Sequence, residues 1–153
     1  MTEGGSYSAS LVYIRMYCIK SNIYNEIIKS IGNAPIESGG ILGIKDGIIC
    51  AFHFDSYSSN KEDFYIPDIC HLNQVINEWQ SKGISFCGIV HSHPNKHNKP
   101  SRLDEEYARL LLDKNKMISY LIFPIVTIFE NKVEVVFYEF TENFIPVEVE
   151  VKQ

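Results

Sequence analysis

The chain of 153 residues has no excess of positive charge: 14 Lys and Arg stand against 19 Asp and Glu, a formal net charge of −5. That balance leaves no basic footprint and argues against nucleic acid as the main partner. Long hydrophobic runs are also missing. The most apolar segment, from Met117 to Phe129, is interrupted by Pro124 and falls short of the roughly 20 apolar residues a membrane helix needs, so no membrane partner is expected. No Cys-x-x-Cys pair occurs among Cys18, Cys50, Cys70 and Cys87. Their wide spacing and apolar neighbours read as buried free thiols in a reduced, cytoplasmic setting rather than a disulfide framework or a second zinc site. The first ten residues lack the basic and apolar regions of a signal peptide. They read as a flexible tail (1–10) ahead of a single domain (11–153), with no repeat, low-complexity block or linker inside it.

What is present suits one folded unit, being 45% hydrophobic and 22% charged. A domain of this size buries about 68–70% of its unfolded surface without staples. Leu11 to Ile19 reads as a first strand. Ser21 or Asn22 is placed to cap a helix with an apolar stripe of Tyr24, Ile27, Ile28 and Ile31, ended by a left-handed Gly32 or Asn33 and Pro35. Ser38–Ile44 and Ile48–Asp55 form a predicted hairpin around Asp46-Gly47. The polar stretch 56–63 reads as a loop. Pro67-Asp68 opens a second helix that buries Ile69, Leu72, Val75, Ile76 and Trp79 and closes near Gly83. His71 lies off that stripe and reads as a solvated histidine.

Ile84–Val90 is a buried strand by pattern, and it leads into His91-Ser92-His93-Pro94. Alternate strand residues share a face, so His91 and His93 point one way, roughly 6–7 Å apart at Cα, and Ser92 the other. Ser101-Arg102-Leu103-Asp104 looks like the first turn of a third helix reaching Lys114 and packing through Leu103, Tyr107, Leu110 and Leu111. That turn can return a carboxylate to the two imidazoles. Two His and one Asp leave a fourth tetrahedral position for water, the arrangement of catalytic zinc. Ser101 with Asp104 also matches a structural capping box, and the two readings are compatible. The last third reads as strands: Ile118–Glu130 bent at Pro124, Val133–Phe140, and an alternating, charged edge segment Ile145–Val151.

Upstream, Glu37 precedes Ser38-Gly39-Gly40-Ile41-Leu42-Gly43. Together with His91, His93, Pro94, seven residues, Ser101 and Asp104, this resembles the JAMM (MPN) metallopeptidase family, and its compact form with Pro100 before Ser101 resembles stand-alone prokaryotic members. The resemblance implies an α/β (α+β) fold, a curved mixed sheet flanked by helices in a cytidine-deaminase-like sandwich. It implies Zn²⁺ on His91, His93 and Asp104, Glu37 as general base, and Ser101 stabilising the oxyanion or orienting the water. The implied reaction is hydrolysis of an amide or isopeptide bond at the C-terminus of ubiquitin, a ubiquitin-like protein or a sulfur-carrier protein. His97 is discounted as a fourth ligand, because it would close the water position.

Two alternatives belong to the same superfold. A non-catalytic MPN scaffold usually has lost metal ligands, all of which are present here. A DNA-repair-associated branch has Asn between its histidines and a helix-hairpin-helix segment, whereas this chain has Ser92 and no such segment. Metallo-β-lactamase-type hydrolases continue His-x-His with x-Asp-His, against Pro94-Asn95-Lys96 here. Amidohydrolase barrels need a far longer chain.

Overall fold

A computed structural model describes residues 16–32, 37–56, 65–93 and 97–153. The expected N-terminal tail, the start of the first strand, the 33–35 helix stop and most of the 56–63 loop lie outside these residues. The elements run β1 (Met16–Lys20), α1 (Ser21–Ile31), β2 (Gly39–Lys45), β3 (Ile48–Phe54), α2 (Ile69–Ser81), β4 (Ser85–His93), α3 (Arg102–Lys114), β5 (Leu121–Ile122), β6 (Ile125–Phe129), β7 (Lys132–Val136), β8 (Tyr138–Phe140), β9 (Phe144–Pro146) and β10 (Glu148–Lys152).

The strands form one mixed sheet in the order β10-β1-β3-β2-β4-β5-β8-β9, with β6 pairing β4 and β7. In the central strands, neighbouring side chains diverge to two cores. Leu42 and Val90 join Ile23, Ile27 and Ile31 of α1 on one face. Ile41 and Ile89 join Leu72, Val75 and Trp79 of α2 and Ala108 of α3 on the other. A sheet covered on both faces demands apolar residues at successive positions, which is why β2 and β4 read as continuous apolar runs. This is the expected sandwich of a mixed sheet between helices.

Local chemistry explains the joints. The β2–β3 turn places Asp46 at φ 54° and Gly47 at φ 78°, the two left-handed positions that an Asp-Gly hairpin turn supplies. Glu130 and Asn131 do the same between β6 and β7, at φ 51° and 64°. Asp68 caps α2, its carboxylate accepting from the His71 amide at 3.2 Å.

Several expectations change in detail. Lys20, with no side-chain cap, precedes α1 in place of Ser21 or Asn22, and Gly32 ends it right-handed at φ −66°. Ile23 replaces Tyr24 at the head of the fully buried stripe. Ile69, the first residue of α2, is exposed. Leu103 and Leu110 are also exposed, so α3 packs through buried Ala108 with the expected Tyr107 and Leu111, joined by Leu112. Pro124 divides β5 from β6, and the predicted Val133–Phe140 strand splits at Phe137 because β7 pairs β6 while β8 pairs β5. The four thiols are free as expected, yet only Cys87 is buried and Cys70 is exposed. No helix of the described residues is long and apolar enough to cross a membrane.

Candidate metal centre

Strand β4 delivers the two histidines. It lies between β2, where His91 faces Gly39, and β6, where His91, Ser92 and His93 face Ile125, Val126 and Thr127. Held on both edges, β4 fixes the two imidazoles side by side, with Nε2 atoms 3.0 Å apart. The Asp104 carboxylate arrives from the first turn of α3, its Oδ1 3.1 Å from His91 Nε2 and its Oδ2 3.3 Å from His93 Nε2. These ligand atoms all lie within 4.8 Å of one another, the one such group of three among the described residues.

The surroundings set the chemical state of each ligand. His93 Nδ1 lies 2.8 Å from the His97 carbonyl. A carbonyl only accepts, so Nδ1 carries a hydrogen, as in metal-bound histidines, and Nε2 is the nitrogen turned toward Asp104, the one that would bind an ion once it gives up its own proton. The loop that supplies this carbonyl is pinned in turn, since the Tyr138 hydroxyl donates to the Asn98 carbonyl at 2.6 Å. His97 contributes its backbone here, and its side chain is not in the ligand group. His91 is buried, and its Nδ1 has no hydrogen-bond partner among the described residues.

Asp104 is held by Ser101. The Ser101 amide donates to Asp104 Oδ2 at 2.8 Å, and the Asp104 amide donates to Ser101 Oγ at 3.1 Å, a complete capping box. Burial works to raise the Asp104 pKa, but the hydrogen bonds from His91 and His93 outweigh it and hold the carboxyl well below the usual range. Burial works to lower the His93 pKa, and its hydrogen bond to Asp104 reverses this and raises it. The three groups thus attract one another around a point that a divalent cation would suit, with two imidazole nitrogens and one carboxylate as a zinc donor set.

Glu37 stands at the entry to β2 and lines the same cleft, which encloses about 730 Å³ and also includes Tyr65, Ile89, Leu103, Tyr107 and Phe123. Its Oε1 accepts from the Tyr65 amide at 3.0 Å. Burial raises its pKa, and the fields of His91 and His93 oppose that rise.

Three positioning residues were not visible as such in the sequence. Ser92, on the opposite face of β4, accepts from the Ser38 amide at 3.1 Å, and its own amide donates to the Ser38 carbonyl at 2.9 Å. The residue between the two histidines therefore holds the backbone beside Glu37. The Tyr65 hydroxyl donates to Asp55 Oδ2 at 2.7 Å, and the same oxygen accepts from the Asp68 amide at 2.9 Å. Gly39 gives the Tyr65 ring its place: a Cβ there would lie 2.7 Å from the ring and 2.6 Å from the Val90 carbonyl.

The family model for prokaryotic homologs of the JAB domain matches residues 22–140. The chain belongs to this family. Its JAB domain is similar in fold to a Desulfitobacterium hafniense protein solved in solution, with a TM-score of 0.72, 16% identity, and coverage of 91% of this chain and 94% of that one. It is also similar to a JAB1/MPN domain protein from Archaeoglobus fulgidus, with a TM-score of 0.52, 17% identity, and coverage of 90% and 97%. No curated protein matches this JAB domain in sequence. The family includes hydrolases and uses zinc, and the His91, His93 and Asp104 group falls inside the matched span.

Proposed function

We propose that the protein is a zinc-dependent hydrolase of amide or isopeptide bonds, acting at the C-terminus of a ubiquitin-like or sulfur-carrier protein in the cytoplasm. The observation that carries this reading is the convergence of three ligands with a second carboxylate, Glu37, in one cleft. Zinc held by His91, His93 and Asp104 would supply a Lewis acid and lower the pKa of a bound water toward ~7. Glu37 takes the proton of the attacking water and returns it to the leaving amine. Its raised pKa suits this traffic, since a base works best when its pKa approaches the working pH. Tyr65 orients Glu37, and Ser101 orients Asp104. The Ser101 oxygen is engaged as an acceptor, which leaves its hydrogen to donate to a tetrahedral oxyanion. The apolar walls formed by Ile89, Leu103 and Phe123 suit an extended peptide tail better than a sugar or a phosphate ester.

The test is cleavage of ubiquitin, small ubiquitin-like and sulfur-carrier proteins, each joined to a reporter through its C-terminal glycine. Release that a chelator abolishes and added zinc restores supports the reading. No release from a protein that also fails to retain zinc favours the MPN scaffold.

A further inference from the structure

A second pair of histidines meets outside the candidate centre. His53 projects from β3 and His71 from the first turn of α2, their Nε2 atoms 3.0 Å apart and their rings 5.0 Å apart between centroids. This matches the 3.0 Å between His91 and His93. We infer that His53 and His71 form a second, independent site for a late first-row divalent cation, bridging β3 and α2.

Two Nε2 atoms at this distance cannot both carry hydrogen, so at least one presents a lone pair toward the other. At metal–nitrogen bonds of about 2.0–2.1 Å, both lone pairs reach one ion between them. On binding, the ring that carried the bridging hydrogen shifts it to Nδ1, and no proton is lost. Burial and the neighbouring His71 both lower the pKa of His53, which keeps its imidazole neutral and ready to ligate. Asp55, then Glu78 and Glu26, act on His53 in the opposite sense. Their negative field favours a cation at the site.

Among the described residues no thiolate or third side-chain ligand joins the two imidazoles, and such a donor set selects Cu²⁺, Ni²⁺ or Zn²⁺ over Mg²⁺ or Ca²⁺, with Cu²⁺ the tightest. Water completes the shell. Each half of the site sits close to the Asp55–Asp68 hydrogen bond, which joins the same two segments. An ion here would clamp the frame that carries Tyr65. His71 thus faces His53 rather than standing as the solvated histidine the sequence suggested.

The test is Cu²⁺ titration of zinc-loaded protein, followed by calorimetry and by electron paramagnetic resonance. Wild type should take up one additional Cu²⁺ per chain with the spectroscopic signature of two imidazole nitrogens. At a free-ion concentration 100 times Kd, the folded-to-unfolded ratio should rise about 100-fold. His53→Asn and His71→Asn should each weaken this binding at least tenfold. Asp104→Ala should keep it even if zinc binding at the candidate centre fails, which separates this inference from the proposed hydrolase. No additional Cu²⁺ in wild type, a one-imidazole spectrum, or unchanged uptake in both His variants would overturn the inference.

Discussion

Ser101 and Asp104 hold each other through two reciprocal hydrogen bonds, 2.8 Å from the Ser101 amide to Oδ2 and 3.1 Å from the Asp104 amide to Oγ. The same carboxylate closes the ligand triangle with His91 and His93. The helix cap is observed, and the same carboxylate sits where the proposed metal ligand would be, so the two readings of this turn are geometrically compatible.

Ser101→Ala should show the coupling. Loss of the cap costs roughly 0.5–2 kcal/mol of stability. Loss of the group that orients a ligand should weaken zinc binding about 10–100-fold. Thermal unfolding and competitive zinc titration check both effects. A stability loss with unchanged zinc affinity would make the cap purely structural.

Asp55 and Tyr65 set the frame for Glu37. Tyr65→Phe removes the hydroxyl's bond to Asp55 and leaves a buried carboxylate with less support. The expected cost is about 1–3 kcal/mol at neutral pH, together with a fall in kcat at unchanged zinc content. Unaltered kcat in a folded variant would separate Tyr65 from the positioning of Glu37.

The same residues predict the alkaline behaviour. Burial pushes Tyr107 up to about 12, and burial with the Asp55 hydrogen bond raises Tyr65 further. A group whose folded pKa lies above its unfolded value, about 10 for Tyr, adds stability that is full below that value and lost as pH rises toward the folded one. Denaturant midpoints should therefore drop from pH 10 upward, and less steeply in Tyr65→Phe. Equal slopes in the two proteins would exclude Tyr65 as a source.

Gly88 tests the sheet. A Cβ at this position would lie 1.9 Å from the Ile122 carbonyl oxygen, a backbone atom that cannot swing away. Gly88→Ala should therefore cost roughly 3 kcal/mol, the upper end of ordinary overpacking, or more. Chemical denaturation measures it, and a loss below about 1 kcal/mol would show that β4 and β5 can part freely.

The parts of the fold legible in the sequence are those set by local chemistry. Asp46-Gly47 announces its turn because few residues accept two successive left-handed positions. His91, His93, Ser101 and Asp104 are legible because strand alternation and a helix cap place them within one short stretch. Leu103 and Leu110 were misplaced because helical periodicity shows that a face is apolar, not whether core or open cleft lies opposite. Tyr24 gives way to Ile23 at the head of the buried stripe for a related reason: the angle of α1 over the sheet is a tertiary choice. Asp55, Tyr65 and Ser92 had no local signature, since their hydrogen bonds join segments that meet only after β2, β3 and β4 pair.

As the proposed general base, Glu37 would govern the pH profile of cleavage. Burial raises its pKa, and the deprotonated form is the base, so cleavage should climb with pH through a midpoint above the ordinary Glu range. Zinc content must be followed at each pH, since protonation of the histidines would release the ion. A rate that persists, with zinc bound, below the ordinary Glu pKa would deny Glu37 the role of base.

The most direct measurement places zinc content and cleavage side by side in Glu37→Gln, on a substrate that the wild-type protein cleaves. The expected result is zinc retained at the wild-type level, with cleavage reduced at least 100-fold, as for loss of a general base. Cleavage near the wild-type rate would contradict the assignment of Glu37, and loss of zinc would contradict the division between the His91, His93 and Asp104 ligands and the base.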